Sequence, residues 1–300
     1  MAFVARAATP AMRCRTDART RVASAARRCH SCASMPSRFA IDTAVTPAGD
    51  HRYRARIDRG WWILRGPNGG YLAALILRAI TTDVGDPARR PRSFTVHYLR
   101  PPREGEADLI VQPERAGRTT TVVTARMMQD GKLTALAVAA LGTDRPGPEF
   151  AHLVPPAVPQ PTEIAAPPPA PVQLPMRERY EMRIALGGAP WDAAPATEAV
   201  TGGWIRLADP EPVDAHVIAA LSDAWFPALF TMTRAAVQVP TVDLTIHFRD
   251  EPAHVHDWCL VRFVSRHASH GFVEEDGEIW SHDGRLLAQS RQLALMLSAL

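Results

Sequence analysis

The chain carries one pattern twice. Ser93 to Pro102 reads SFTVHYLRPP and Asp243 to Pro252 reads DLTIHFRDEP, so TVHY and TIHF align without a gap. Further on, QDGKLTALAVAAL (Gln129 to Leu141) matches HDGRLLAQSRQLAL (His282 to Leu295). The two landmarks stand 35 positions apart in the first copy, from Thr95 to Asp130, and 38 in the second, from Thr245 to Asp283. A repeat of this size predicts two copies of one supersecondary unit rather than a solenoid.

Each copy has the same order of elements. An apolar helix comes first: Gly70 to Ile80 in the first copy, and about Val213 to Phe230 in the second. Strands follow at Phe94–Leu99, Ala107–Gln112, Thr119–Met128 and Lys132–Leu141. The second copy predicts strands at Val242–Phe248, Trp258–Ser265, Gly271–Trp280 and Arg285–Met296. A further strand precedes each helix, at Tyr53–Ile57 and Tyr180–Ile184. Asp130-Gly131 and Asp283-Gly284 mark the last hairpin of each copy. The first helix is apolar nearly all round, which requires burial on most sides. An antiparallel sheet curved around one buried helix meets that requirement. The expectation is an α+β tandem, or double, hot dog: two antiparallel sheets, each wrapped around its central helix. A pair of unrelated α+β domains is the alternative, and the repeat argues against it.

Between Pro146 and Pro175 lie 11 prolines. They remove backbone donors and fix φ, so this stretch cannot be a sheet interior or a long helix. The predicted organisation is an N-terminal domain over 35–144, a linker over 145–176 and a C-terminal domain over 177–300. Residues 1–34 stand apart as a basic, disordered extension, with seven arginines and a single acid, Asp17. Two readings of the extension stay open. It is Arg-rich and acid-poor like a transit peptide, or it precedes a natural start at Met35; the second is preferred.

Overall the net charge is +3, and removing that arm leaves a mildly acidic body, which argues against nucleic acid as a partner. No run is long and apolar enough to span a membrane. Three of the four cysteines, including the CxxC at Cys29 and Cys32, fall in the arm, leaving Cys259 as a small core residue. No disulfide framework is suggested, and a cytoplasmic location is expected. His254-Val255-His256-Asp257 could offer two imidazoles to a metal, but without a further cluster a polar hairpin is the better reading, and no metal is expected. His97 and His247 occupy equivalent repeat positions and read as structural. Trp61-Trp62 reads as packing. Neither a nucleophile elbow nor a Walker phosphate loop is present.

Two polar residues interrupt apolar surroundings. Asp223 stands in an apolar helix, where a carboxylate is costly unless paired. Pro227, four residues on, cannot donate to its carbonyl, so the helix should kink there. Gln292 lies on the core face of the last strand, with Leu286, Ala288, Ser290, Ala294 and Met296. Its repeat equivalent is Ala139, so the fold itself does not demand a carboxamide. Asp223 and Gln292 both break the repeat, and together they read better as one site than as two accidents. Thr241 opens a strand after Pro240, a common and usually solvated arrangement. In the first copy, Asn68-Gly69-Gly70 precedes the helix, where unpaired N–H groups suit an oxyanion or phosphate. A tight turn with a helix cap would use the same residues.

The chain resembles the acyl-CoA thioesterase II family, the double hot dog thioesterases. The likeness covers nearly all of 40–297 and is strongest in PNGGYLAAL, SFTVHYLRP, LSDAWFPAL and DGRLLAQSRQLAL. The resemblance implies that Asp223, Thr241 and Gln292 hold the hydrolytic water. It also implies that Gly69 and Gly70, which Asn68 precedes, lie at the helix start beside the thioester. It implies water attack on an acyl-CoA without a covalent intermediate, no cofactor, and an apolar acyl tunnel between sheet and helix. Arg100 or Arg249 would meet CoA phosphate. Family members often pair further, making a homo-oligomer an option. The sequence departs from the family at Tyr71, where a glutamine is often found, and in QLALM, which lacks the usual acid and glycine after the glutamine. A non-catalytic acyl-CoA or lipid-binding module is the runner-up. An enoyl-CoA hydratase of the same fold ranks third, since it would want a histidine near Asp223.

Overall fold

The computed structural model describes residues 35–168, 172, 174–192, 194–233, 237–251 and 256–298. The basic arm with its CxxC, and His254 and Val255 of the two-histidine stretch, lie outside the described residues. Residues from Pro36 onward belong to one compact unit.

The first half opens with a short helix, α1 (Arg38–Asp42), followed by the strands β1 (Val45–Gly49) and β2 (Arg52–Ile57). The central helix α2 (Gly69–Val84) comes next, then β3 (Arg90–Tyr98), β4 (Gly105–Ala116), β5 (Thr120–Gln129) and β6 (Lys132–Gly142). Asn68 caps α2 by accepting from the Tyr71 N–H, and Gly85 ends it in the left-handed region at φ 63°. Gly70 to Leu77, with Ala79 and Ile80, are buried, as an all-round apolar helix requires.

The second half contains β7 (Tyr180–Gly187), β8 (Ala199–Leu207) and α3 (Ala215–Leu221). After them come β9 (Val237–Gln238), β10 (Thr241–Phe248), β11 (Cys259–Ser265), β12 (Ala268–Ser269), β13 (Phe272–Ser281), β14 (Leu286–Leu295) and β15 (Leu297–Ser298). Neither β8 nor the small pairings of β9 with β15 and β12 with β13 was expected from the sequence.

The sheets of the two halves are one continuous antiparallel surface, in the order β1-β2-β4-β5-β6-β3-β10-β14-β13-β11-β8-β7. The two expected sheets join edge to edge at a single joint. β3 and β10 are the TVHY and TIHF strands, and they pair with each other, Thr95 opposite Thr245. Each threonine thus faces its own repeat equivalent, their hydroxyls 3.0 Å apart. A local two-fold axis passes between them and relates the halves, and it sets α2 against α3. A Cβ on Gly70 would stand 2.3 Å from the Ala220 carbonyl oxygen, so glycine is what permits this approach.

Among the described residues the proline-rich stretch forms no strand; it carries a 3-10 turn at Pro161–Glu163, and another opens at Pro175 as it ends. Val158 and Ile164 pack on a second cluster of Trp204, Trp258, Leu260 and Trp280, and the Trp204 indole donates to Pro159 O at 2.8 Å. Leu260 alternates with Cys259 and Val261 of the main core, so this cluster covers the opposite face of the sheet.

The second central helix is shorter than expected. Rather than running to Phe230, α3 stops at Leu221, and a 3-10 turn follows at Ala228–Thr231. Two features explain the early end. The Ser222 hydroxyl bonds back to Ile218 O at 2.9 Å, and the Asp223 and Ala224 N–H groups reach only three residues back, at 3.4 Å. Asp223 therefore sits on an unwound segment.

Candidate active site

Asp223 meets the start of α2. Its Oδ2 accepts from the Gly70 N–H at 3.1 Å and from Asn68 Nδ2 at 3.0 Å. Asn68 Nδ2 also donates to the Asp223 carbonyl at 2.7 Å. This is the carbonyl that Pro227 leaves without a helical donor, and the first half of the chain supplies the replacement. One asparagine thus caps its own helix through Oδ1 and clamps the other half through Nδ2.

The carboxyl of Asp223 is pushed up to about 6, chiefly by burial, against the opposing pull of the Gly70 and Gly69 N–H groups and the Asn68 carboxamide. The Tyr98 hydroxyl donates to Gly69 O at 2.7 Å. Burial and the nearby Asp223 charge both push the Tyr98 and Tyr180 phenols upward.

Thr241 and Gln292 meet on the adjoining strands. Thr241 Oγ1 donates to Gln292 Oε1 at 3.0 Å, across the β10–β14 pair. Gln292 is buried, in line with its place on the core face with Ala288, Ser290 and Ala294. Its Nε2 donates to Glu275 Oε1 at 2.7 Å.

Glu275 is the residue that the sequence reading missed. It lies beside Gln292 in the β13–β14 register and is 7% exposed. Its Oε2 accepts from the Ala228 N–H at 2.5 Å, in the 3-10 turn that follows the Asp223 segment. Burial, with the Asp223 charge adding to it, pushes this carboxyl up to about 7. The sequence held a signal. Gln292 matches Ala139, Ala139 pairs with Val123, and Val123 is fully buried, so Glu275 stands where the first half has valine. In the sequence it is the middle one of three consecutive acids, Glu274, Glu275 and Asp276.

The structure therefore gathers the expected residues into two hydrogen-bonded groups. One is Asn68, Gly69, Gly70 and Asp223; the other is Thr241, Gln292 and Glu275. Glu275 links them through Ala228 and through its electrostatic coupling to Asp223. Other candidates have separate places. His216 bonds Asp214 at 2.8 Å and Thr81 at 3.0 Å, at the far end of the helix pair from Asp223. A cavity of about 350 Å³ opens at that far end, lined by Thr81, Arg90, Asp214, His216 and Glu251, and contains none of the expected site residues. His97 and His247 face solvent. Arg100 and Arg249 are also exposed, donating to Leu133 O and to Gln289 Oε1. His256 bonds Leu207 O at 2.9 Å. Trp61 is fully buried, stacked on Tyr71 at 4.9 Å, and Cys259 is a buried free thiol. Among the described residues no helix is long and apolar enough to cross a membrane.

A repeated antiparallel sheet around two facing helices, with a polar site where the helices meet, defines a double hot dog protein. Comparison with known proteins narrows this. The acyl-CoA thioesterase N-terminal domain family matches residues 58–143 and the C-terminal domain family matches 155–296. The chain belongs to the acyl-CoA thioesterase family. It is similar to a conserved hot dog protein of unknown function from Alicyclobacillus acidocaldarius (29% identity, TM-score 0.81, 89% of this chain and 100% of that one). It is also similar to a candidate thioesterase II from Thermobifida fusca (26% identity, TM-score 0.77, 87% of this chain and 97% of that one). The thioesterase-like protein TwmA of Talaromyces wortmannii is 30% identical over 98 residues, which span 32% of this chain and 28% of that protein.

Proposed function

We propose that the protein hydrolyses the thioester of a fatty or related acyl-CoA to the free acid and CoA, using water activated by Asp223. The observation that carries this reading is the placement of Asp223. A carboxyl raised to about 6 is ionised at neutral pH yet basic enough to take a proton, as a general base requires.

In this mechanism a water sits between Asp223 and the Thr241–Gln292 pair. Asp223 removes one proton as the water oxygen attacks the thioester carbon. The carbonyl oxygen becomes an oxyanion at the start of α2. There the N–H groups of Gly69 and Gly70, and the Asn68 carboxamide, stabilise negative charge. While Asp223 is ionised these donors serve its carboxylate. As it accepts the proton its hold on them weakens, and they become available to the oxyanion as that charge develops. Collapse of the tetrahedral species breaks the C–S bond, and the proton on Asp223 passes to the departing thiolate. No covalent acyl-enzyme is formed. The acyl chain lies between sheet and helix, and the CoA phosphates stay near the surface.

The hydratase alternative loses support, because His216 is committed to Asp214 and Thr81 away from Asp223. Release of free thiol from a panel of acyl-CoA thioesters of increasing chain length tests the proposal. Turnover that disappears in both Asp223→Ala and Gln292→Ala is the expected result. Tight acyl-CoA binding without thiol release would replace it with the binding-module reading, and unchanged rates in both variants would refute the site.

A further inference from the structure

A buried carboxyl with no cationic partner among the described residues is expensive, and the fold does not need one at residue 275. The corresponding position in the first half is Val123, which is fully buried in the same sheet geometry. Among the described residues Glu275 has two contacts, one per oxygen: Gln292 Nε2 at 2.7 Å and the Ala228 N–H at 2.5 Å. Both partners are donors, as an ionised carboxylate requires.

The first contact has a consequence for polarity. A glutamine carboxamide can be turned either way, and its surroundings decide which. An acceptor-only carboxylate at Glu275 draws Nε2 toward itself and turns Oε1 toward Thr241. The Thr241 hydroxyl must then donate to Gln292, as it does at 3.0 Å. Two groups are left for a water. The second Nε2–H of Gln292 can donate to it, and the lone pairs of Thr241 Oγ1 can accept from it. That set suits an attacking water: it gives one proton to Asp223 and one hydrogen bond to Thr241, and receives one from Gln292. With the carboxamide reversed, Thr241 and Gln292 would exchange their roles toward the water, and Gln292 Oε1 would face the Glu275 carboxylate, acceptor against acceptor.

We propose that Glu275 is the positioning residue of this site, acting through Gln292 to set the hydrogen-bond polarity around the hydrolytic water. The second contact, to Ala228, ties that setting to the segment carrying Asp223. The proposal rests on the hydrolytic reading above. Among the described residues the titratable neighbours acting on Glu275 are Asp223, from the segment after α3, and Glu274, its own chain neighbour. Burial raises Glu275 to about 7, so its ionised form gives way to the neutral acid over the range in which Asp223 also protonates. A neutral Glu275 can donate, and it no longer fixes the carboxamide.

The test compares wild type with Glu275→Gln, which is isosteric but no longer acceptor-only, and with Glu275→Val, the first-half residue. Thiol release from one turned-over acyl-CoA is measured across pH 5–8. In Glu275→Gln the expected kcat falls about tenfold, the worth of one well-oriented hydrogen bond, while KM stays within about twofold. Because a neutral group at residue 275 keeps about a tenth of kcat, the acid limb of kcat should be steeper than tenfold per unit near pH 6 in wild type and no steeper than tenfold per unit in both variants. A second readout needs no turnover. The Gln292 side-chain amide signals, assigned by their loss in Gln292→Ala, should move or broaden in Glu275→Gln. Unmoved amide signals overturn the proposal whether or not wild type hydrolyses the thioester. So do an unchanged kcat and acid limb in an active enzyme. Moved signals in a protein that releases no thiol would uphold the control of Gln292 and refute the hydrolytic reading alone.

Discussion

Replacing Asp223 by asparagine should make the protein more stable and much less active. The carboxyl of Asp223 is raised from its ordinary value to about 6, mainly by burial. A shift of roughly two units corresponds to ~3 kcal/mol between protonation states. The sign follows from linkage. The folded state holds the proton more tightly than the unfolded chain, so stability is greatest below the unfolded value, near pH 4. It is lost as pH rises to about 6, and stays lower above that. Asparagine is never ionised and escapes this loss, while its carbonyl oxygen can still accept from Gly70 N–H and Asn68 Nδ2. Because Asp223 is not wholly enclosed, about half of the ~3 kcal/mol is the expected gain at pH 8, a rise in Tm of about 3–6 °C. At pH 4 the two proteins should unfold together. Loss of the general base should lower kcat by ~10²–10⁴. Thermal unfolding at pH 4 and pH 8, with thiol release at pH 8, reads all of this. A variant less stable than wild type at pH 8, or one within tenfold of wild-type kcat, would refute the assignment.

The kcat of the wild type should be flat above about pH 8, where Glu275 and Asp223 are both ionised, and fall about tenfold per unit well below pH 6, since only ionised Asp223 can accept the water proton. Gly69→Ala would place a Cβ 2.8 Å from Asp223 Oδ2 and 3.1 Å from the Tyr98 ring, so a drop in kcat of about tenfold or more in a folded protein is expected. Gly70→Ala would meet the Ala220 carbonyl oxygen at 2.3 Å, a backbone atom that cannot step aside, and should lower Tm by separating the helices. Thr241→Val removes the hydroxyl held by Gln292 and should cost about 10–100-fold in kcat with little change in Tm. Arg291 lies on the opposite, exposed face and pairs with Asp276 at 2.6 Å, so Arg291→Ala should leave turnover unchanged and stability within about 0.5 kcal/mol.

Much of the fold was legible because its signals are local. The two Asp-Gly turns, the alternation along β14 and the apolar run of α2 each specify an element without help from elsewhere. What escaped depends on neighbours. β8 contains Thr201-Gly202-Gly203, which reads as a loop. In the sheet, Gly203 has φ 146°, and a Cβ there would lie 2.0 Å from Arg183 O on β7. Glycine is thus required inside a strand for a reason that lies on another strand. The end of α3 was likewise set by more than Pro227. The Pro227 argument foresaw an unpaired Asp223 carbonyl, and the structure supplies its partner, Asn68, from 155 residues away. The site was legible wherever a polar residue broke the repeat in plain view, as Gln292 does against Ala139. It was hidden at Glu275, where two adjacent acids on the solvated face masked the third.

The repeat and the site are joined by the same symmetry. A two-fold axis at Thr95 and Thr245 makes the halves equivalent by default, and equivalent halves would offer two identical apolar helix junctions. The second half departs from that default at Asp223, Glu275 and Gln292, with Ala139 and Val123 marking the apolar state of the latter two positions in the first half. The first half contributes the complementary feature, a glycine-led helix start capped by Asn68. Two buried carboxyls, raised to about 6 and about 7, are tolerable in such a place because each is met by backbone N–H donors. Those donors come from the start of α2 in one case and from the turn after Pro227 in the other. Pro227, which opens the 3-10 turn, thus leaves both the carbonyl that Asn68 grips and the N–H that Glu275 holds. On this argument Pro227→Ala should not merely extend α3. A regained helical donor would compete with Asn68 for the Asp223 carbonyl, and both groups of the site would loosen together.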